Sequence, residues 1–135
     1  MCGINGFTWR DRDLIRLMNE ETRNRGPDHQ GVFTDNNVSL GHCRLSIIDL
    51  SSKGHQPMVN EDETMWIIYN GEIYNYKEIK NSLIKKGHEF KSKTDTEVVI
   101  HAYEEWGTDC LDIFNGMWAF CIYDQRKGEL FRNEV

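Results

Sequence analysis

Cys2 directly follows the initiator methionine. Its side chain is small, so removal of Met1 is chemically plausible and would leave Cys2 with a free α-amino group. An α-amine titrates near neutrality and can take the thiol's proton, directly or through water. One residue then supplies both nucleophile and base. The plainer account of Cys2 is a small buried hydrophobe, and on this residue alone the plainer account stands. The other three cysteines, Cys43, Cys110 and Cys121, are isolated. The chain has no CxxC and no HxxxH pair, so no metal-ligating set is expected from spacing.

Several elements must position such a group. Cys2 to Trp9 alternates loosely and predicts a strand. Asp11 to Asn24 carries Leu14, Ile15, Leu17, Met18 and Thr22 at helical spacing, and Gly26-Pro27 stops that helix. Gly31 to Phe33 and Val38 to Leu40 are short strand signals around an Asp35-Asn36-Asn37 turn. Leu45 to Leu50 is an apolar run whose simplest reading is core, and Ser51 to Asp62 is a loop. Met65 to Tyr69 is rich in aromatic and β-branched residues and predicts a strand. Asn70-Gly71 directly after it reads locally as a hairpin turn. Capping boxes at Asn75/Glu78 and Thr94/Glu97 open two helices, ended by Gly87 and Gly107. Met117 to Tyr123 fits a buried strand, and Leu130-Phe131 starts another. Runs of strands with grouped helices predict an α+β fold. Two packed, mainly antiparallel sheets with helices on the outer faces accommodate it.

The chain has 135 residues, enough for one domain with a real core. Its net charge of −6, with basic residues scattered, argues against nucleic acid or an anionic membrane as partner. No stretch is apolar enough to span a bilayer, and the N-terminus lacks the pattern of a signal peptide. The expected compartment is the cytoplasm, where thiols stay reduced.

Six further segments change the weight of Cys2. After MCGINGF come RGPD at 25–28, LGHCRLSIIDLS at 40–51, GHQPM at 54–58, NGEIYNY at 70–76, KTDTEVVIHAYEEWG at 93–107 and NGMWAFCIYD at 115–124. Together, in this order, they resemble the class II glutamine amidotransferases, which are N-terminal nucleophile hydrolases. The wording resembles most the glutaminase domain of glutamine-hydrolysing asparagine synthetases.

The resemblance implies an αββα sandwich and assigns roles. Cys2 would be the nucleophile. The Asn70 side chain and the Gly71 backbone N–H would hold the oxyanion formed when thiolate attacks an amide. Arg44 would clamp the glutamine α-carboxylate, against a plainer reading as a solvated surface arginine. Glu72 and Asp95 would contact the α-ammonium, Asp95 alternatively serving the helix dipole. Leu45, Ile47 and Ile48 would surround the ligand. With the N-terminal amine as base, His42 is not needed as one. His29, His55, His88 and His101 are expected to be solvated or structural, and Trp66 and Trp118 core. The implied partners are glutamine and a synthetase domain or subunit that accepts ammonia, with room for a homodimer. The glutaminase step implies no cofactor; ATP and magnesium belong to the synthetase half.

The family pattern continues after Asp124 with further strands and an ARDxxGxKPLYY-type segment. Here residues 125–135 read QRKGELFRNEV, so a C-terminally incomplete glutaminase domain at 1–135, without a synthetase domain, is expected. Two other readings compete. A non-catalytic fragment that docks onto a synthetase partner fits the shortened end. An N-terminal nucleophile acylase for another amide fits Cys2 but not the Arg44 and Asp95 pair.

Overall fold

The computed structural model describes residues 1–135. Two antiparallel sheets face each other. One has the order β1 (Gly3–Phe7), β3 (Ser39–Arg44), β2 (His29–Thr34). The other runs β4 (Met58–Val59), β5 (Met65–Ile73), β6 (Gly116–Asp124), β7 (Glu129–Glu134). Helix α1 (Arg12–Thr22) packs on the first sheet. Helices α2 (Tyr76–Lys85) and α3 (Asp95–Trp106) pack together, with α3 against β5. The layers are helix, sheet, sheet, helix, as expected.

Strand alternation decides which residues meet between the sheets. In β5, Met65, Ile67, Tyr69 and Ile73 face the helices and join a 16-residue core with Ile79, Leu83 and Val99. Ile68 faces the other way, meeting Val38, Leu40 and Tyr123 in a smaller core between the sheets, with Ile4, Phe33 and Trp66 packed against it. The same parity carries Asn70 on β5, Arg44 at the end of β3 and Cys2 just before β1 to the inter-sheet side. The opposite parity serves α1: a Cβ at Gly3 would lie 3.0 Å from the Thr22 side chain, and Cys43 Sγ lies 3.2 Å from the Asn19 carbonyl.

Five local expectations need correction. Asn70-Gly71 is no turn. β5 continues to Ile73, and Asn70 and Gly71 pair with Ala119 and Trp118 of β6. Asn and Gly are poor strand formers, but the register with a nine-residue partner outweighs local propensity. The Leu45–Leu50 run is not core: Ile47 is 73% and Leu50 78% exposed. Asn75 makes no side-chain cap to α2. Its amide instead ties two strands of chain together, donating to the Ile113 carbonyl at 2.9 Å and accepting from the Asn115 N–H at 3.0 Å. Thr94 does cap α3, accepting from Glu97 N–H at 3.4 Å, but Glu97 does not complete a box. Its carboxylate takes the Lys91 and Ser92 N–H groups at 2.8 and 2.7 Å and the Ser92 hydroxyl at 2.6 Å. Gly87 and Gly107 end their helices in the left-handed region, at φ 99° and 58°. Leu17, placed on the apolar stripe of α1, is 64% exposed, whereas Asn19 is fully buried.

Candidate functional site

The inward-facing ends of β1, β3 and β5 and the N-terminus of α3 frame one cavity of about 460 Å³. All nine residues singled out in the sequence line it: Cys2, Arg44, Leu45, Ile47, Ile48, Asn70, Gly71, Glu72 and Asp95. They come from four segments up to 93 residues apart in the chain; strand parity turns Cys2, Arg44 and Asn70 to one side, and the loop after β3 and the start of α3 bring the rest.

Cys2 sits between β5 and the loop after β3. Its backbone N–H donates to Asn70 Oδ1 at 3.0 Å. Its sulfur receives the Leu45 N–H at 3.4 Å and lies 3.8 Å from the Leu45 carbonyl, while Arg25 Nε donates to the Cys2 carbonyl at 3.4 Å. The residue is therefore held at its nitrogen, its sulfur and its carbonyl. With Oδ1 turned to the Cys2 nitrogen, the Asn70 amide keeps its NH₂ donors for another acceptor. His42 does not approach this group. Its Nε2 lies 3.1 Å from the Tyr69 carbonyl, and burial pushes its pKa down to about 4, so it is a neutral core imidazole.

Arg44 is not a solvated surface residue; it is 5% exposed. Two of its five N–H donors go to backbone carbonyls, Ser51 at 2.7 Å and Asp49. The loop 45–51 thus closes around the guanidinium, which explains why Ile47 and Ile48 stand at the cavity rim rather than in a core. A Cβ at Gly54 would fall 2.1 Å from Arg44 Nη2, so any larger residue there would displace the guanidinium. The Asp49 carboxylate secures the other side of the loop. It accepts from the Ser51 N–H and hydroxyl at 2.9 and 2.6 Å and from Lys93 N–H at 2.9 Å. These hydrogen bonds, the Ser51 hydroxyl foremost, hold its pKa well below the usual carboxylate range.

Asp95 opens α3 and is 5% exposed. Its Oδ2 accepts the Tyr69 hydroxyl at 2.6 Å and the Ile73 N–H at 3.0 Å. Burial raises its pKa, and the two hydrogen bonds oppose that rise. Tyr69 is itself pushed up, first by burial and then by the Asp95 charge, so its phenol remains a donor. Gln56 completes this wall, accepting Tyr69 N–H at 2.6 Å and donating to Thr96 Oγ1 at 3.2 Å.

Glu72 and Gly71 are exposed at the cavity's open side. Gly71 is demanded by strand packing rather than by a turn: a Cβ there would lie 2.5 Å from the Met117 carbonyl and 2.7 Å from Trp118 Cα. Trp118 is core as expected, while Trp66 is only half-buried. Sequence reasoning missed Asp49, Gln56 and Tyr69. Asp49 and Tyr69 lie within or beside the motif segments and Gln56 is inside GHQPM, but position alone does not show that their side chains turn inward.

Residues 1–133 match the family model described as a glutamine amidotransferase domain. The chain is 45% identical to the "Putative asparagine synthetase [glutamine-hydrolyzing] 2" of Methanocaldococcus jannaschii, over 97% of this chain and 29% of the relative. It is 38% identical to "Asparagine synthetase [glutamine-hydrolyzing] 3" of Bacillus subtilis, over 97% and 22%, and 44% identical to the asparagine synthetase of Zea mays, over 93% and 22%. It thus spans less than a third of the length of these curated relatives. Among solved structures, glutamine phosphoribosylpyrophosphate amidotransferase from B. subtilis superposes with a TM-score of 0.74 at 18% identity, covering 93% of this chain and 35% of that one. No helix is long and apolar enough to cross a membrane. The matched residues take in every segment that frames the cavity, and the chain belongs to the glutamine amidotransferase domain family.

Proposed function

We propose that Cys2, once Met1 is removed, hydrolyses the side-chain amide of glutamine to glutamate and ammonia. The observation that carries this reading is the placement of the Cys2 nitrogen 3.0 Å from Asn70 Oδ1 at the wall of the cavity. With Met1 in place that nitrogen is a peptide N–H. After removal it is an α-amine at the same point, oriented by Asn70 and adjacent to its own thiol.

The amine takes the thiol proton, and the thiolate attacks the amide carbon. Negative charge develops on the amide oxygen, where the Asn70 NH₂ and the Gly71 N–H serve as donors. Collapse expels ammonia, which leaves with the proton held by the amine, and a thioester to Cys2 remains. Water, deprotonated by the same amine, adds to the thioester and releases glutamate and the thiol. The step as written takes no cofactor.

At the other end of the substrate, the guanidinium of Arg44 has donors left for the α-carboxylate beyond those given to Asp49 and Ser51. Asp95 and Glu72 offer negative charge to the α-ammonium, whose arrival offsets the desolvation of Asp95. Leu45, Ile47 and Ile48 cover the methylenes. The names of the relatives support an asparagine-synthetase-type amidation as the use of the ammonia, by a synthetase domain or subunit. A reduced cytoplasmic setting suits a thiol nucleophile.

The test compares three mass-verified forms of the protein for release of glutamate from glutamine: processed, Met1-retaining and Cys2→Ala. Only the processed form should be active. Turnover by folded Cys2→Ala would remove Cys2 from the mechanism.

A further inference from the structure

A second cluster of chemically capable side chains lies away from the cavity, at the far end of α3. Glu61 from the turn between β4 and β5, His88 from the segment after α2, and His101 and Glu104 from α3 each direct one donor atom to a common point, all within 4.8 Å of one another. His88 Nδ1 lies 3.1 Å from Glu61 Oε1 and 4.0 Å from Glu104 Oε2. His101 Nδ1 lies 3.3 Å from Glu61 Oε2 and 2.9 Å from Glu104 Oε2. A zinc-type ion with bonds of about 2.0–2.1 Å holds tetrahedral donors about 3.3 Å apart. The spacing found here brackets that value.

The outward sides of the two rings carry the argument further. His88 Nε2 lies 3.0 Å from Glu105 Oε2, and His101 Nε2 points to Glu97 Oε1 at 3.6 Å. His88 thus has a carboxylate hydrogen-bonded behind it, the arrangement that fixes the tautomer of metal-binding histidines, whereas His101 Nε2 has no hydrogen-bond partner and Glu97 stands just beyond reach. With the proton on Nε2, each Nδ1 presents a lone pair, and these face carboxylate oxygens that are acceptors too. Against burial, the Glu104 and Glu97 carboxylates raise the His101 pKa to about 9, so ring protons supply the positive charge here until a cation displaces them. Glu104 is also held in place, its Oε1 receiving the Asn60 amide at 2.7 Å.

We propose that Glu61, His88, His101 and Glu104 form a closed, four-ligand site for a first-row divalent transition-metal ion of the zinc type. Four protein ligands leave no open position, so the role is structural. The ion would join the β4–β5 turn, the segment after α2 and the C-terminal half of α3, three segments that meet here through no backbone ladder. His101 is six residues along α3 from Asp95, about 9 Å at the helical rise. A rigid anchor there would steady the helix whose first residue lines the cavity. Spacing rules miss such a site because only the His101/Glu104 pair is local in sequence.

The test adds ZnSO₄ to metal-free protein and follows stoichiometry by calorimetry and stability by thermal unfolding, with Co²⁺ as a spectroscopic probe. We expect one equivalent bound, and a melting temperature raised by roughly 8–14 °C at a hundredfold excess over Kd. The Co²⁺ spectrum should lack a thiolate charge-transfer band. His88→Ala and, separately, Glu61→Gln should each lower affinity at least tenfold, while Cys2→Ala leaves binding unchanged. Glu61→Gln preserves shape on a partly exposed turn, so it keeps the test open if His88→Ala unfolds. Absence of binding at millimolar Zn²⁺, binding unaltered in both cluster variants, or binding lost in Cys2→Ala would each overturn the proposal.

Discussion

Replacing Asn70 by alanine removes both ends of one amide, and the two ends are expected to matter differently. The Oδ1 end accepts a hydrogen bond from the Cys2 nitrogen at 3.0 Å. Its loss costs about 1 kcal/mol of stability, or roughly 3–5 °C in melting temperature for a domain of this size. The backbone pairing of residue 70 with Ala119 does not depend on the side chain, so the strand survives. The NH₂ end is the proposed oxyanion donor, and its loss should cut kcat by about 10²–10³. KM should move less, because the charge it stabilises is small in the ground state. Asn70→Asp separates the two functions. It keeps an acceptor beside Cys2 but sets a negative oxygen where the oxyanion develops, so kcat should fall at least as far. Steady-state glutamate release on processed, folded protein gives both constants, and thermal unfolding gives the stability term. A kcat within threefold of wild type in both variants would refute the oxyanion assignment.

Other consequences follow from the same geometry. Gly71→Ala should lower stability by about 1–3 kcal/mol, since its Cβ meets the β6 backbone at 2.5 Å; an unchanged urea midpoint would contradict the packing argument. Arg44→Ala should raise the glutamine KM at least thirtyfold, equivalent to roughly 2 kcal/mol or more. It should also lower the melting temperature, because the carbonyls of Asp49 and Ser51 lose their donor; a normal KM would sink the carboxylate clamp. His42 has a folded pKa of about 4 against 6.5 in the unfolded chain, so the unfolded state binds more protons between those values. Its contribution to stability is full above about pH 6.5 and is lost as pH falls toward 4, by at most about 3 kcal/mol. His29 is lowered by burial and acts in the same sense. Urea unfolding of His42→Gln should therefore show a shallower loss between pH 7 and pH 4.5 than wild type, and identical slopes would count against the burial argument.

The layer architecture and most elements could be read from the sequence, because hydrophobic period and glycine stops act locally. The failures share one cause: partners distant in the chain. Asn70-Gly71 has the composition of a turn, yet pairing with Ala119 and Trp118 holds it extended. Ile47, Ile48 and Leu50 look like core, but Arg44 and Asp49 wrap their loop around buried polar groups and leave those side chains outside. Asn75 has the identity of a helix cap and spends its amide on residues 113 and 115 instead. The cavity residues were legible as ordered motifs; their convergence rests on strand parity and register, which no single motif encodes. The support they receive from Tyr69, Gln56 and Asp49 was not legible, since a buried polar side chain shows itself only when its neighbours are known.

The central claim is that the thiol of a processed Cys2 carries the acyl group of glutamine. Acid quenching during turnover, followed by digestion and mass spectrometry of the N-terminal peptide, tests it directly. A glutamyl adduct on Cys2, found only in chains that have lost Met1 and absent after Asn70→Ala slows its formation, is the expected result. Full glutaminase activity from protein retaining Met1, or an adduct that maps to Cys43, Cys110 or Cys121, would contradict it.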